Sequence, residues 1–108
     1  MHKTTYHKAS SASEAASLLS GADDGALLAG GQTLIPTMKQ RLAAPSDLVD
    51  ISGVAEMKGI TVSGSTVTIG AMTTHAEVAT SAELRSVCPS LADLASHIGD
   101  PAVRHRGT

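Results

Sequence analysis

The feature that most constrains this chain is a short apolar run that ends in two glycines and leads straight into a helical pattern. Residues 26–36 read ALLAGGQTLIP, which predicts a strand over residues 26–29, a tight turn and a helix from about Thr33 to Leu42. Such a turn exposes backbone N–H groups at a helix N-terminus, where free donors and the helix dipole favour an anion. Two interpretations stay open here: a phosphate or pyrophosphate site, or a turn that needs small residues only for packing, which is the commoner meaning of one Gly-Gly pair.

The segments around this turn alternate between strand and helix patterns. Residues 6–8 form a candidate strand, Ser11 and Glu14 have the spacing of a capping box that opens a helix to about Leu19, and residues 48–51 form a further strand. Connections of this length predict a small three-stranded parallel sheet with right-handed βαβαβ crossovers. A ligand at the C-terminal end of the middle strand in sequence would follow the usual rule for such sheets. The helix after the glycines is expected to place four apolar residues on one face: Leu34, Ile35, Met38 and Leu42.

The pattern changes near residue 56, which predicts two domains, 1–55 and 56–108. In the second, two β-rich runs joined by Gly64-Ser65 predict a hairpin, and Thr74 with Glu77 repeats the capping-box spacing before a series of short helices. The last helix is expected to place four residues on one face: Leu91, Leu94, Ala95 and Ile98. No terminating pattern follows over residues 100–108, so we expect an antiparallel subdomain that is only begun, in a truncated chain. The overall class is α/β, with α+β character when both parts are taken together.

Composition and charge exclude several function classes. Tyr6 is the only Phe, Trp or Tyr residue, so the core must be built from aliphatic side chains and Met, and base-stacking platforms for nucleic acid are not expected. The net charge of −2 provides no broad basic face for nucleic acid either. A single cysteine, Cys88, excludes an internal disulfide and is expected to be a buried, inert thiol. Without an N-terminal signal or an apolar run long enough for a membrane span, we expect a cytoplasmic protein.

The residues that could carry chemistry give few candidates. No Rossmann fingerprint, P-loop or nucleophile elbow is present, and the five histidines show no metal-ligand spacing. Arg104 and Arg106 are expected on a solvated face, with a phosphate or a partner chain as the alternative. From the residues alone, we predict an anion site at Gly30-Gly31, no catalytic side chain and no metal.

Several blocks together resemble a known family. AGGQTLIP with MKQRL, then LVDI, TIGAMTTH and finally DP-VR-GT resemble, in order and spacing, the flavin subunits of the molybdenum hydroxylases. This family includes the medium subunit of aerobic carbon monoxide dehydrogenase, which is the nearest likeness, and the FAD domains of xanthine dehydrogenases. The resemblance implies a PCMH-type FAD-binding fold in which FAD lies between two subdomains and two glycine-rich loops hold its pyrophosphate. Thr33 stands where serine is commoner.

The resemblance also implies which residues bind the cofactor and what the cofactor is for. The first loop corresponds to Ala29, Gly30, Gly31, Gln32 and Thr33, and Leu34 sets the helix that follows it. The second loop begins at Thr108, and Ile98 matches a position that lines the flavin pocket. FAD would pass electrons from iron–sulfur centres to an external acceptor, and the partners would be a molybdopterin-containing large subunit and an iron–sulfur small subunit. Two alternatives remain at this point: an assembly module that docks the partner subunits but no longer binds flavin, and a binder of another phosphorylated metabolite.

Overall fold

The computed structural model describes all of residues 1–108, which divide into two compact units, Met1–Glu56 and Met57–Thr108. The first unit contains a parallel sheet and two helices. The second contains an antiparallel hairpin and four short helices. This mixed architecture confirms the predicted fold class.

The first unit is a three-stranded parallel sheet with crossover helices. Its elements in chain order are β1 (Thr5–Lys8), α1 (Ala12–Ser20), β2 (Gly25–Leu28), α2 (Leu34–Lys39) and β3 (Asp47–Asp50). The spatial order is β1-β3-β2, with both pairings parallel. The strand before the glycines is therefore second in sequence but lies at an edge of the sheet. The local sequence pattern predicts that a strand forms, but it does not predict which strands pair with it. The edge position of β2 was therefore not predicted from the sequence.

The central position of β3 follows from its burial. Leu48 and Val49 are neighbours in sequence, so their side chains point to opposite faces of the sheet, and both are buried. A strand with both faces covered belongs in the middle of a parallel sheet. The core of this unit consists of Ala9, Ala15, Met38, Leu48, Val49, Ile51 and Val54.

The helices of the first unit depart from the predictions at their ends. Ser11 Oγ accepts the N–H of Glu14 at 3.1 Å as expected, but the Glu14 carboxylate accepts from the Ser10 hydroxyl at 2.7 Å, so the predicted reciprocal box is only half formed. The prediction that α2 runs to Leu42 is wrong. Arg41 adopts a left-handed φ of 59°, which ends the helical path, and Leu42 is 81% exposed.

The second unit begins with the predicted hairpin. β4 (Ile60–Ser63) and β5 (Thr66–Ile69) pair antiparallel, and Gly64 in the turn has a φ of 59°. Four helices follow: α3 (His75–Thr80), α4 (Ala82–Val87), α5 (Pro89–Ser96) and α6 (Pro101–Arg106). The capping box that begins α3 is formed in both directions, between Thr74 and Glu77. The core is Val78, Ala79, Leu84, Ala92 and Ala95, with Ile60 and Cys88 partly buried against it.

The four residues predicted to share a face, Leu91, Leu94, Ala95 and Ile98, all line one pocket, although α5 itself ends at Ser96. The buried residues of α5 are Ala92 and Ala95, and Leu94 is 69% exposed. Residues 101–106 form a helix, α6, that was not predicted from the sequence. The signal was present in the sequence, since Asp100 caps the helix by accepting the Ala102 N–H at 2.8 Å and Pro101 occupies its first position.

The expectation of a solvated Arg104 is also wrong. The side chain is half-buried, and its Nη1 donates to the carbonyl oxygen of Ile98 at 2.5 Å, which satisfies a backbone acceptor just beyond α5. Cys88 is only partly buried, not enclosed in the core. No helix in the structure combines the length and apolar character needed to cross a bilayer.

Candidate functional site

The turn after β2 has a backbone conformation that only glycine fits well. Gly31 has a φ of +77°, a region that side chains rarely adopt. A Cβ built there would lie 2.8 Å from Ile35 Cδ1 and 3.4 Å from Leu28 Cδ1. Both the dihedral angle and the surrounding space therefore require glycine at position 31.

In this turn, backbone carbonyl groups accept hydrogen bonds within the chain, whereas backbone N–H groups remain free. The carbonyl oxygen of Gly31 accepts the Ile35 N–H at 3.2 Å, and that of Thr33 accepts from Thr37 N–H at 3.1 Å and Thr37 Oγ1 at 2.6 Å. The backbone N–H groups of residues 30–33 have no acceptor within the chain. Four consecutive free donors, with the Gly31 and Thr33 carbonyls already occupied, suit an oxyanion. Because α2 has only six residues, these local amides matter more than the helix dipole.

The second unit contains an apolar pocket of about 520 Å³. Its apolar walls are formed by Ile69, Val78, Leu91, Leu94, Ala95 and Ile98. Leu91 and Leu94 line this pocket, which explains their exposure on α5. A pocket of this size with few polar groups suits a planar aromatic ligand.

Three side chains with hydrogen-bonding groups line the pocket: Thr73, His75 and Thr108. Thr73 is buried and satisfied, since its Oγ1 accepts the Gly59 N–H at 2.9 Å and donates to the Gly59 carbonyl at 3.1 Å. The imidazole of His75 is half-buried and has no hydrogen-bond partner within the chain.

The position of Thr108 is set by the residue before it. The Gly107 N–H donates to the Val103 carbonyl at 2.7 Å, and the Gly107 carbonyl accepts the backbone N–H of His75 at 3.0 Å. A Cβ at Gly107 would lie 2.7 Å from the Val103 oxygen and 3.1 Å from the His75 ring, so no side chain fits. Gly107 thus joins the end of α6 to the start of α3.

The structure places the sequence-predicted site residues in two groups. Residues 29–34 form the glycine turn of the first unit, while Ile98 and Thr108 line the pocket of the second. Sequence reasoning missed His75, Leu91 and Leu94 as pocket residues. The leucines have helical spacing that is equally typical of a core face, and the histidine carries no spacing signal at all.

Two side-chain hydrogen bonds join β1 to β3 in the sheet of the first unit. His7 Nε2 lies 2.8 Å from Asp47 Oδ1, and the Tyr6 hydroxyl donates to the Asp50 carboxylate. Hydrogen bonds from Ser46 and His7 hold the pKa of Asp47 below its usual value. Burial raises the pKa of Asp50, but hydrogen bonds from Tyr6 and Ser52, with the charge of Lys8, outweigh it and lower the pKa overall. The same hydrogen bond to Asp50 raises the pKa of Tyr6. No group of three or more His, Cys, Asp or Glu side chains is placed to hold a metal ion.

Fold and site together define a parallel unit with free backbone amides after its second strand, followed by a hairpin unit with an apolar pocket. The family described as "FAD binding domain in molybdopterin dehydrogenase" matches residues 2–108, and the chain belongs to this family. This confirms the resemblance found in the sequence, and with it FAD as the cofactor.

Individual relatives support the same assignment. The chain is 46% identical over 104 residues to the carbon monoxide dehydrogenase medium chain of Hydrogenophaga pseudoflava, covering 95% of this chain and 36% of that one. It is 42% identical over 91 residues to the 6-hydroxypseudooxynicotine dehydrogenase complex subunit alpha of Paenarthrobacter nicotinovorans, covering 84% and 31%. The chain thus spans about a third of the length of these relatives.

Solved structures agree. The carbon monoxide dehydrogenase from Hydrogenophaga pseudoflava that lacks the Mo-pyranopterin moiety superposes with a TM-score of 0.94 at 45% identity, over 98% of this chain and 37% of that one. Quinoline 2-oxidoreductase from Pseudomonas putida 86 gives 0.93 at 35% identity, over 98% and 37%. The residues fit FAD on two counts. The free amides of the glycine turn suit a pyrophosphate, and the apolar pocket suits a planar ring.

Proposed function

We propose that this chain forms the FAD-binding part of the flavin subunit of a molybdenum hydroxylase, with residues 29–34 holding the FAD pyrophosphate. The observation that carries the proposal is the set of four consecutive free N–H groups around Gly31. Backbone amides are rigid donors that need no side-chain ordering, so they bind a pyrophosphate at low entropic cost. Ile98 and Thr108 line the apolar pocket of the second unit, and we propose that they also contact the cofactor.

The biochemical role proposed for the chain is electron transfer. When bound, FAD supplies redox chemistry that carries electrons from iron–sulfur centres to an external acceptor. The partners in this proposal are a molybdopterin-containing large subunit and an iron–sulfur small subunit, in the cytoplasm. The proposal is supported by relatives that are medium chains or subunits of dehydrogenases. This chain's own residues bind and orient the cofactor, and no acid or base is assigned among them.

A matched pair of charge substitutions tests the pyrophosphate site. Gln32 lies in the turn and Gln40 lies at the opposite end of α2, and both side chains are exposed. We expect Gln32→Glu to weaken FAD binding about tenfold, because a new carboxylate beside the pyrophosphate adds roughly 1–2 kcal/mol of repulsion. Gln40→Glu should leave affinity within about twofold. Affinity is measured by titrating the chain with FAD, using flavin fluorescence and calorimetry.

The same pair separates binding from folding. An acid near the N-terminus of a helix is mildly stabilising and one near its C-terminus is mildly destabilising, by ~0.3–1 kcal/mol. The variant that binds FAD less well should therefore be the more stable of the two. Equal FAD affinities for both variants would show that the pyrophosphate does not bind at the turn. Absence of FAD binding by the unaltered chain would overturn the proposed function.

A further inference from the structure

We infer that His75 is a further FAD-binding residue, whose imidazole hydrogen-bonds a polar group of the cofactor in the pocket of the second unit. The inference rests on the proposed function, since it assumes that FAD occupies this pocket. It adds a polar side-chain contact to the apolar walls of this pocket.

The first argument is the hydrogen-bond inventory of the pocket. His75 lines it together with Ile98 and Thr108 and is its only ionisable side chain. The Thr73 hydroxyl is already satisfied by the backbone of Gly59. Both ring nitrogens of His75 lack a partner within the chain. An imidazole has one donor and one acceptor in its neutral form, so it can serve either a carbonyl or an N–H of a ligand.

The second argument is that one side of the ring lies against the backbone of Gly107. The backbone N–H of His75 is bonded to the Gly107 carbonyl at 3.0 Å, and a Cβ at Gly107 would lie 3.1 Å from Cδ2 and 3.4 Å from Nε2 of the ring. The imidazole therefore lies flush against a residue with no side chain. A ring that is packed on one side loses less rotamer freedom on binding a ligand than a ring surrounded by solvent.

The third argument is energetic. A hydrogen bond made beside apolar walls is stronger than one made in water, because the local dielectric constant is low. The surrounding walls, from Leu91, Leu94 and Val78, offer no competing acceptor. A flavin has a planar ring with carbonyl and N–H groups along one edge, so it can fill apolar space and satisfy an imidazole together.

A purely packing role for His75 against Gly107 gives a different expectation, and three variants separate the two roles. His75→Phe keeps a flat ring against Gly107 but removes the hydrogen bond. His75→Gln keeps a donor and an acceptor but removes the ring. His75→Ala removes both.

The test measures FAD affinity and thermal unfolding for all three variants in the 108-residue chain. We expect His75→Phe to unfold like the unaltered chain but to bind FAD about five- to tenfold more weakly, as is typical of one lost hydrogen bond. His75→Gln should remain within about threefold of the unaltered chain. The reverse order, with His75→Phe binding normally and His75→Gln binding poorly, would assign a packing role and overturn the inference.

A spectroscopic readout keeps the inference independent of any enzymatic activity. In protein labelled with ¹⁵N-histidine, the ring nitrogens of His75 should shift when FAD is added. His97 provides the internal control, because it is exposed on the far end of α5 and its Nδ1 lies 2.7 Å from the Asp93 carbonyl oxygen. FAD binding without a His75 shift would overturn the inference and leave the proposed function standing. No FAD binding at all by the unaltered chain would overturn both.

Discussion

The glycine turn of the first unit and the pocket of the second are built in opposite ways. The turn is made of backbone: its shape depends on Gly31, and its binding groups are amides. The pocket is made of side chains from β5, α3 and α5, and its shape depends on which face of α5 is buried. The geometry of a site made of backbone is determined by a few adjacent residues, whereas the geometry of a site made of side chains depends on packing across the whole unit.

The difference teaches which changes each site can accept. The pocket can exchange one apolar side chain for another and keep its character, since its walls are aliphatic and partly exposed. The turn cannot exchange Gly31 for any residue with a Cβ without strain. The predictions below test this contrast.

The largest effect is expected from a pair of leucines on neighbouring helices. Leu84 is fully buried in the core of the second unit, and Leu94 is 69% exposed at the pocket. Leu84→Ala should cost ~2–5 kcal/mol of unfolding free energy, as large-to-small core changes do. Leu94→Ala should cost less than ~1 kcal/mol and act mainly on FAD affinity. Urea unfolding followed by circular dichroism compares the two. Equal losses would mean that Leu94 belongs to the core and that the pocket is not a separate feature.

An intermediate effect is expected from alanine at three glycines. Gly31→Ala should cost roughly 1–3 kcal/mol, because it combines a left-handed φ with a close contact to Ile35. Gly64→Ala has the same type of φ but open space, so it should cost only the backbone strain of about 1 kcal/mol. Gly99→Ala meets nothing within 4 Å and has no left-handed φ, so it should be neutral. Amide hydrogen exchange measures the local cost. A neutral Gly31→Ala would show that the turn tolerates side chains.

The smallest effect on stability is expected from lowering the pH. The lowered pKa values of Asp47 and Asp50 mean that their stabilising contribution is complete above the unfolded-state pKa near 4 and is lost as pH falls through the folded-state values. Asp50 pairs in register with Leu28, just before the glycine turn. Tyr6→Phe removes one of the bonds that lowers the Asp50 pKa, so acid unfolding should begin at slightly higher pH. An unchanged acid midpoint would show that this bond does not stabilise the sheet.

Much of the fold was predictable because its signals are local. The alternation of patterns predicted the parallel sheet, Gly64-Ser65 predicted the hairpin, and Thr74 with Glu77 predicted the start of α3. What escaped prediction depended on distant contacts. The edge position of β2 is decided by the pairing of β3, and the buried face of α5 is decided by α3 and α4. The end of α2 depends on a left-handed Arg41, which no propensity indicates.

The candidate site likewise has a part that local sequence predicts and a part that depends on distant contacts. Free amides at residues 30–33 follow from the glycine pattern. The sequence around His75 does not show that its ring lacks a hydrogen-bond partner, because that depends on which residues surround the ring in the folded chain. Helix α6 was a missed local signal. Its Asp-Pro start is typical of a capped helix and could have been used.

The hydrogen bond between Tyr6 and Asp50 has a practical consequence for optical work. Tyr6 is the only residue of its kind in a chain without Trp or Phe, and it lies on β1 of the first unit. Its ultraviolet absorbance and emission therefore report on the parallel sheet alone, and the second unit is optically silent in that range. A tyrosine emission change and a flavin emission change recorded in one titration would come from separate chromophores, so the molecule carries a built-in probe for one of its two units.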